Sequence, residues 1–521
     1  MGVCERALWG LACLAALSMG PVGQAAGQVI EDITFPTVSF FDPNIYARPD
    51  GAYLATVLPH FIHRPIDDLT PRAGAEALAM GGAYLAVVEG PLAMAWNPAG
   101  LAGMRGAAIV ADGTTISSSG SGSSVSLPDT LLIPGYGDFG ISNYTVRRGS
   151  SNAFGFLGGA LPLFDVGGAP LVGGMAYRRH SDIAYGEEIL LEMRLFAATA
   201  GFPFTFGSET DERGFLESLT FALGYEAIRN PAFKLSLGSS ANVLSGRLRA
   251  DKMERVAVRN FDEGRGKYQQ DYRGFSLEGG AVAEFGGLGR LAAWVGLPHT
   301  IRVENGRLLD LPIGSPDQTV LYRSHWTIAD YDLEVPLFLS FGAAAGPFYG
   351  VEISADLNLR PWSEAEIKHR DPAFQAFDGP YPAADVESFH IGTRFEVPLL
   401  REKLHRLGLR LSGMAGYRTM PLSLYEPDLR DTTTVAPHYR GDQIEGSATT
   451  LGLGLEAGQV SFNLGLEFQS FDYQAWFLND QSELGTEEEP GRGLWFGDPL
   501  DRVIEVNRSN TLLRFTTEFR P

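Results

Sequence analysis

The sequence predicts an all-β protein, a closed antiparallel transmembrane β-barrel of about fourteen strands (14–16). Three observations lead to this prediction. Segments of about ten residues alternate strictly between apolar and polar residues. Short turns and long polar loops follow one another in turn along the chain. After the N-terminal segment, no uncharged apolar stretch reaches the length of about eighteen residues that a transmembrane helix requires.

The clearest strand is the segment 350–360, GVEISADLNLR. Its apolar residues occupy alternate positions, so they share one face, and the polar residues between them share the other. Segments 232–243, 460–470 and 511–519 repeat the pattern. A tilted strand of about ten residues with one apolar face is what a barrel wall needs to cross a bilayer.

The connections between strands alternate in length. Short turns are predicted at 228–232, 286–289, 346–347, 398–403 and 457–459, and long polar loops at 250–270, 305–331, 361–384, 421–443 and 476–508. Tight periplasmic turns and longer extracellular loops are typical of outer-membrane barrels. A soluble sandwich has no reason to gather its long loops at one end, and a β-propeller would show shorter, self-similar repeats.

Upstream, the alternation continues and raises the number of candidate strands to sixteen. The added candidates are 106–118, 137–147, 152–163, 170–183, 188–202 and 216–227, and the Ser/Gly-rich stretch 114–126 is predicted to be a loop. An even number is expected for a closed bacterial barrel, because both ends of the chain then lie on the periplasmic side.

Composition and charge exclude some functions. The net charge of −21 argues against a nucleic-acid partner, since phosphate binding requires a basic surface. Residues 1–25 are predicted to be a secretory signal peptide, with an apolar run at 7–20 and small residues Gly23 and Ala25 before the cleavage site. Both cysteines fall inside this segment, so no disulfide is expected in the mature chain. An exported chain without a helical span is periplasmic, secreted or an outer-membrane barrel.

Two segments separate the signal peptide from the predicted strands. Residues 26–71 form an aromatic-rich extension that is an added strand, a periplasmic arm or a partner-docking segment. Residues 75–101, AEALAMGGAYLAVVEGPLAMAWNPAGL, are mostly small and end in an Asn-Pro turn. So many small residues would leave voids in a soluble core, whereas they suit backbone that lies close against other backbone.

The small-residue stretch resembles the signature of the long-chain fatty acid transporter superfamily of outer-membrane barrels (FadL-like), and in particular its PorV/PorQ branch. The later stretch 388–422, with SFHIGTRFEVPL and MAGYRTMPL, also resembles that branch. The resemblance implies that residues 72–104 form a hatch, or plug, inside the lumen of a barrel built from residues 105–521. The alternative is an Ala/Gly-rich helix pair in a soluble domain.

The resemblance also assigns a hatch motif. Asn97 is expected to cap a short helical turn with its side chain, and Pro98 suits the first helical position. The residues that match the family motif are Met80, Gly81, Gly82, Asn97, Pro98, Ala99, Gly100 and Leu101.

Charged residues on the polar faces of the strands are expected to point into the lumen and to form ion pairs there. They are Glu352, Asp356, Arg360, Arg410, Glu456, Glu467, Arg514 and Glu518. No nucleophile elbow, HExxH motif or phosphate loop with Lys is present, so no enzyme, cofactor or metal site is predicted. His60 and His63, near Asp67 and Asp68, lack the spacing of a metal site and are expected on an exposed extension.

For function, the resemblance implies an outer-membrane protein of a Gram-negative bacterium that takes up hydrophobic small molecules, such as long-chain fatty acids, by passive diffusion. Substrate would pass a displaced hatch and leave laterally or into the periplasm. The alternative is a PorV/PorQ-like component of a protein secretion system that binds cargo proteins. The expected partners are outer-membrane lipid and lipopolysaccharide, a hydrophobic small molecule or a secreted cargo protein, and the barrel assembly machinery, with no nucleic acid.

Overall fold

A computed structural model describes most of the chain after the N-terminal extension. It covers residues 72–122, 143–197, 200–257, 264–305, 311–313, 322–324, 330–370, 372, 375, 378–380, 383–396, 408–423, 442–476 and 503–521. The predicted signal peptide, the extension 26–71 with His60 and His63, and parts of the predicted long loops lie outside the described residues.

Twenty strands are found in the described residues. They are β1 (Ala108–Gly122), β2 (Asn143–Val166), β3 (Ala169–Ala197), β4 (Ala200–Arg229), β5 (Phe233–Ala257), β6 (Gly264–Phe285), β7 (Gly289–Gly296), β8 (His299–Asn305), β9 (Leu311–Ile313), β10 (Tyr322–Ser324), β11 (Tyr331–Val335), β12 (Phe338–Phe348), β13 (Val351–Arg360), β14 (Glu366–His369), β15 (Gly379–Pro380), β16 (Val386–Glu396), β17 (Leu409–Thr419), β18 (Gly446–Ala457), β19 (Val460–Trp476) and β20 (Val503–Phe519).

The strands close into a fourteen-stranded antiparallel barrel, as the alternation predicts. Around the wall the order is β1 to β7, then β12, β13 and β16 to β20, and β20 pairs with β1 to complete the ring. Closure leaves no unpaired strand edge, which the hydrocarbon of a membrane would penalise. Short β9 and β10 form a separate pair.

The count of sixteen candidate strands is too high by two. Residues 143–147 of the first candidate and the whole of candidate 152–163 belong to one strand, β2, and candidates 170–183 and 188–202 lie largely in β3. β3 and β4 have 29 and 30 residues, about three times the length that crosses a bilayer, so they continue beyond it as a paired ribbon. The Ser/Gly-rich stretch continues β1 as far as Gly122 instead of beginning a loop.

The turns at the periplasmic end are short. β2 and β3, β4 and β5, β6 and β7, β12 and β13, and β18 and β19 are joined by two or three residues each. The turn predicted at 346–347 lies three residues later, because β12 continues to Phe348. The predicted loop 361–384 also contains structure, a 3₁₀ turn at Trp362–Glu364 followed by β14 and β15. Among the described residues, no helix is both long and apolar enough to cross a membrane.

An apolar belt surrounds the outside of the barrel. On β6 it extends from Phe275, which is 54% exposed, to Phe285, and on β4 from Leu219 to Ile228. Each span covers about ten residues, the length needed to cross the hydrocarbon at a tilt. The belt therefore marks the membrane-spanning zone of the wall.

Three neighbouring strands are interrupted at the extracellular edge of this belt. The breaks lie at Pro298 between β7 and β8, at Pro336 between β11 and β12, and at Pro361 between β13 and β14. On the membrane side of the breaks, apolar residues face outward. On the extracellular side the pattern is reversed: apolar residues such as Leu333 and Ile301 face inward and are buried, and charged residues face outward. Each break thus lets the side-chain pattern shift by one residue where the wall leaves the membrane.

Residues 72–104 fill part of the lumen. They form α1 (Ala75–Ala79), a 3₁₀ turn at Gly90–Leu92, α2 (Ala93–Trp96) and a second 3₁₀ turn at Pro98–Leu101. Almost every residue from Ala73 to Ala102 is buried, although the elements themselves are only one turn long. Packing against the barrel wall, rather than helix propensity, therefore stabilises this hatch.

Candidate functional site: the hatch and the chamber above it

Asn97 fixes the corner of the hatch to the barrel wall. Its side-chain oxygen accepts a hydrogen bond from the Ala99 amide at 3.2 Å and so caps the turn that Pro98 begins. Its side-chain amide donates to the carbonyl of Ala281 at 3.2 Å and also reaches that of Ala293 at 3.5 Å. Ala281 and Ala293 are paired across β6 and β7, so one side chain ties the hatch to two adjacent strands.

The hatch fits inside the barrel because the wall carries glycines at the positions that contact the hatch. A side chain at any of nine inward positions, one on each of nine strands, would overlap the hatch: Gly174, Gly224, Gly238, Gly280, Gly342, Gly392, Gly416, Gly452 and Gly465. At Gly224, for example, an added Cβ would lie 2.7 Å from Leu101 Cβ. Glycine inside a strand permits this close approach. We call these nine residues the glycine ring.

The glycine ring is also contacted by other hatch-motif residues, namely Met80, Gly81, Pro98, Ala99 and Leu101. Met80 packs on Gly392 and Gly416, and Pro98 and Ala99 pack on Gly238. Gly81 has φ 64°, and its carbonyl oxygen lies 2.8 Å from His390 Nδ1. Gly82 and Gly100 lie where a Cβ would overlap His390 and the carbonyl of Val88, respectively.

Carboxylates of the wall also hold the hatch. One Asp356 oxygen accepts the backbone N–H groups of Tyr84 at 2.8 Å and Leu85 at 2.9 Å. Arg394 donates to Glu76 of the hatch and to Glu352 of β13. The Tyr84 hydroxyl donates to Glu76 at 3.1 Å, and burial together with the charge of Glu76 raises the pKa of Tyr84 well above its usual value.

The remaining predicted lumenal residues fall into three places. Arg514 is buried beside Asp112 and Thr114, and it donates to the carbonyl of Arg72. Glu467 pairs with Arg418 at 2.7 Å, and both are buried. Arg410, Glu456 and Glu518 line a basin of about 580 Å³ below the hatch, where the Arg410–Glu456 pair, at 3.8 Å, is mostly exposed. The eight residues are therefore distributed around the hatch and do not form one cluster.

Above the hatch lies a chamber of about 150 Å³. Its floor includes Arg72 and Trp96 of the hatch, and its walls include Trp294 and Phe338. Aliphatic side chains of the extracellular half, Leu216 and Leu244, border its upper side. The chamber is thus a partly open space, with apolar and aromatic groups in its walls, in the middle of the barrel.

Four arginines also line the chamber: Arg72, Arg178, Arg360 and Arg418. Arg72 and Arg360 both stack on Trp294, with guanidinium carbons 4.3 and 5.2 Å from the ring centre. Burial, followed by the charges of Arg360 and Arg178, lowers the pKa of Arg72. The nearby carboxylates of Glu278 and Asp356 act on this pKa in the opposite direction.

Carboxylates pair directly with two of the four arginines. Glu278 pairs with Arg178 at 3.1 Å and accepts from Ser240 and from the Trp294 ring nitrogen, and Glu467 pairs with Arg418. Arg72 and Arg360 instead donate hydrogen bonds to backbone carbonyls, those of Trp96 and Leu339 respectively. The chamber can therefore bind a carboxylate or another small anion beside an apolar group.

Sequence reasoning predicted only Arg360 among these chamber residues. Arg72, Arg178 and Arg418 come from parts of the chain far apart in sequence, and they meet only when the barrel closes. Trp294 could have been recognised from the sequence. The alternation places it on the inward face of β7, where polar or small residues are expected. In the described part of the chain, no group of three His, Cys, Asp or Glu residues is arranged to hold a metal.

The closed wall, the apolar belt and the lumenal hatch define a β-barrel of the Gram-negative outer membrane. In structure the chain is similar to a FadL homologue of Pseudomonas aeruginosa, with a TM-score of 0.54 and 12% identity over 87% of this chain and 99% of that one. It is also similar to the P. putida toluene transporter TodX, with a TM-score of 0.49 and 14% identity over 86% and 98% of the two chains. No protein-family model and no curated protein matches the sequence. The likeness shows a shared FadL-type fold.

Proposed function

We propose that the protein mediates passive uptake of hydrophobic small molecules across the outer membrane, and that molecules with a carboxylate, such as long-chain fatty acids, are among its substrates. The observation that carries the proposal is the chamber, where Arg72 and Arg360 flank Trp294 beside Phe338. Cationic and aromatic groups around one small space suit an amphipathic anion. The solved relatives of this fold include a FadL homologue and a toluene transporter, which supports a hydrophobic substrate.

The volume of the chamber limits what it holds. A cavity of about 150 Å³ is the size that accommodates a benzene ring. The chamber therefore takes a head group and the adjoining carbons, and the rest of a long chain extends among the apolar side chains above it, such as Leu248, Ile301 and Leu333. Those side chains favour apolar molecules at the extracellular entrance.

We infer a lateral exit rather than passage through the hatch. The glycine ring and Asn97 hold the hatch along nine strands, so its displacement would break many contacts at once. The chamber reaches the wall at Gly296, Leu297 and Phe338, next to the breaks at Pro298 and Pro336. Because proline has no N–H to donate, the wall lacks a backbone donor at each of these two positions. These two opposed breaks form a seam in the wall, and Leu297 and Leu337 are exposed on its membrane side.

An uptake assay with two matched substrates tests the proposal. Proteoliposomes with the wild-type protein should take up both a long-chain fatty acid and an uncharged hydrocarbon of similar length. Arg360→Gln should slow fatty acid uptake several-fold and leave hydrocarbon uptake unchanged, because only the carboxylate depends on the arginine. Arg229→Gln, a control on the exposed periplasmic rim, should match the wild type. Equal uptake with and without the protein would exclude transport.

The alternative function, a PorV/PorQ-like secretion component, predicts a different result. Affinity capture from outer membranes in mild detergent should then recover secreted cargo proteins, and proteoliposomes should show no uptake. Recovery of lipid or hydrocarbon together with substrate uptake supports the transport proposal instead.

A further inference from the structure

A row of polar side chains runs along the barrel wall from the chamber to the hatch. It begins at Arg360, whose two terminal nitrogens both donate to Ser340 Oγ at 3.3 Å. The Ser340 hydroxyl donates in turn to Asn358 Oδ1 at 2.7 Å. The complete set, which we call the polar row, consists of Arg360, Ser340, Asn358, Ser388 and His390.

Strand register brings these side chains into line. Ser340 pairs with Asn358 across β12 and β13, and Asn358 pairs with Ser388 across β13 and β16. His390 follows Ser388 by two positions, so both lie on the inward face of β16. Paired residues on one face have Cβ atoms about 5 Å apart, which is within reach of a hydrogen bond between short polar side chains.

The chamber end of the row determines which way the donors point. An arginine side chain has donors only, so Ser340 Oγ accepts from Arg360 and keeps its own hydrogen for another partner. That hydrogen is directed at Asn358 Oδ1, so Asn358 presents its oxygen to β12 and its amide nitrogen to β16. Without the Asn358 oxygen, the Ser340 hydroxyl would turn elsewhere and its lone pairs would no longer be aimed at the guanidinium.

The hatch end of the row requires the same direction. Asn358 Nδ2 donates to Ser388 Oγ at 3.4 Å, and the Ser388 hydroxyl donates to His390 Nε2 at 2.9 Å. A backbone carbonyl can only accept, so His390 Nδ1 carries the hydrogen that it donates to the Gly81 carbonyl at 2.8 Å. Every link therefore agrees with the direction that the arginine imposes, and aligned hydrogen bonds strengthen one another.

The row holds the Arg360 guanidinium without cancelling its charge. Ser340 Oγ is a neutral acceptor, and so is the Leu339 carbonyl, to which Arg360 Nη1 donates at 3.0 Å. On the other side of the chamber, by contrast, Arg178 is held by the carboxylate of Glu278 at 3.1 Å. A neutral acceptor fixes the position of a guanidinium and leaves its charge to attract an anion.

We propose that Ser340 and Asn358 are positioning residues, which hold Arg360 in the orientation that binds a substrate carboxylate and so give the chamber a preference for acids over uncharged molecules. Ser340 is completely buried, so it acts through Arg360 and not on the substrate. A guanidinium that is already held in place loses less conformational freedom when it binds. The inference rests on the proposed function, because it names the residues behind the arginine that recognises the carboxylate.

Uptake of a long-chain fatty acid and of its methyl ester by proteoliposomes tests the proposal, because the two molecules differ only at the head group. Ser340→Ala should raise the half-saturation concentration for the acid about three- to tenfold, the usual effect of one lost hydrogen bond, and leave that for the ester unchanged. Asn358→Leu, which is similar in size, should do the same. Ser340→Thr keeps the hydroxyl and should behave as the wild type.

A control and a double variant separate positioning from structural support. Ser354→Ala removes a buried β13 serine outside the polar row, which donates to the Ala343 carbonyl at 3.3 Å, and it should match the wild type. Because Ser340 acts through Arg360, Ser340→Ala should have no further effect on the half-saturation concentration for the acid when Arg360→Gln is already present. Poor folding would instead lower the maximal rate for both compounds in proportion.

Three results would overturn the inference while leaving transport intact. They are an equal rise in half-saturation concentration for acid and ester, an unchanged value for the acid in both Ser340→Ala and Asn358→Leu, and an additional effect of Ser340→Ala in the Arg360→Gln protein. No uptake of either compound by the wild type would refute the proposed function, and this inference with it.

Discussion

Pro298 lies directly opposite Pro336 across the interrupted strands of the barrel wall. His299 pairs with Val335 above this point and Gly296 with Phe338 below it, so the register passes through the two prolines without a shift. The Leu297 amide donates to Leu277 of β6 at 2.9 Å, so the backbone nitrogen of Pro298 faces the β11–β12 side, where it has no hydrogen to donate. The wall therefore has a seam beside the chamber.

The double variant Pro298→Ala, Pro336→Ala should close this seam. It supplies two N–H groups that can join the ladder, at about 0.5–1.5 kcal/mol each, so the barrel should become more stable to thermal unfolding. Uptake by proteoliposomes should become slower, because a lateral exit is sealed. Pro162→Ala in β2 is the control for the loss of a proline elsewhere in the wall. Faster or unchanged uptake in the double variant would contradict an exit at the seam.

Two adjacent glycines in β6 allow the glycine ring to be tested. Gly280 faces the hatch, where an added Cβ would overlap the Asn97 side chain, and Gly279 faces outward, where the nearest atom would be Val295 Cγ1 at 3.3 Å. Gly280→Ala should destabilise the barrel by about 1–3 kcal/mol through overpacking and should expose the hatch to protease. Gly279→Ala should change stability much less. Equal effects of the two substitutions on unfolding and proteolysis would show that the hatch does not depend on this contact.

The ion pairs that Arg394 makes with two largely buried carboxylates should contribute more to stability than an exposed pair nearby. Arg394→Gln leaves Glu352 and Glu76, which are 6% and 15% exposed, without their shared partner and should destabilise the barrel by about 1–3 kcal/mol. Arg410→Gln removes a pair whose members are 62% and 63% exposed and should stay within about 0.5 kcal/mol of the wild type. Chemical unfolding in detergent measures both. An equal loss in the two variants would argue against the anchoring role of Arg394.

The change of polarity at the proline breaks predicts where the membrane ends. Leu291 faces outward within the belt and is 54% exposed, whereas Thr300 faces outward just above the break. Leu291→Arg should cost about 2–4 kcal/mol of folding free energy in lipid vesicles, because the charge lies in hydrocarbon. Thr300→Arg should cost less than about 1 kcal/mol. Similar costs at the two positions would move the membrane boundary away from Pro298.

Much of the barrel could be predicted from local patterns alone. The alternation at 350–360 corresponds to β13 almost to the residue, because one face of that strand meets lipid and the other meets the lumen. The same reasoning overcounted the strands around 137–202, where β2 and β3 continue past the membrane without lipid to select an apolar face. It also assigned 361–384 to a loop, because β14 has the opposite polarity to the membrane-spanning strands.

The contacts of the site were much harder to predict. Asn97 could be expected to cap a turn because that interaction is local, whereas its bonds to β6 and β7 join residues about two hundred positions apart. Glycines in strands have many uses, so the glycine ring becomes recognisable only when the hatch is placed against it. The chamber arginines are equally hard to recognise in the sequence, since residues 72, 178, 360 and 418 come together only when the barrel closes.

The glycine ring has a consequence for how the protein is made. The wall contacts the hatch from β3 to β19, with no clearance for a side chain at any of the nine positions. A plug that fits so closely cannot be threaded into a finished cylinder from one end. It must already be inside the barrel when the first and last strands pair. The hatch therefore has to fold together with the wall during membrane insertion. A chain without the hatch should stop in assembly before the barrel closes.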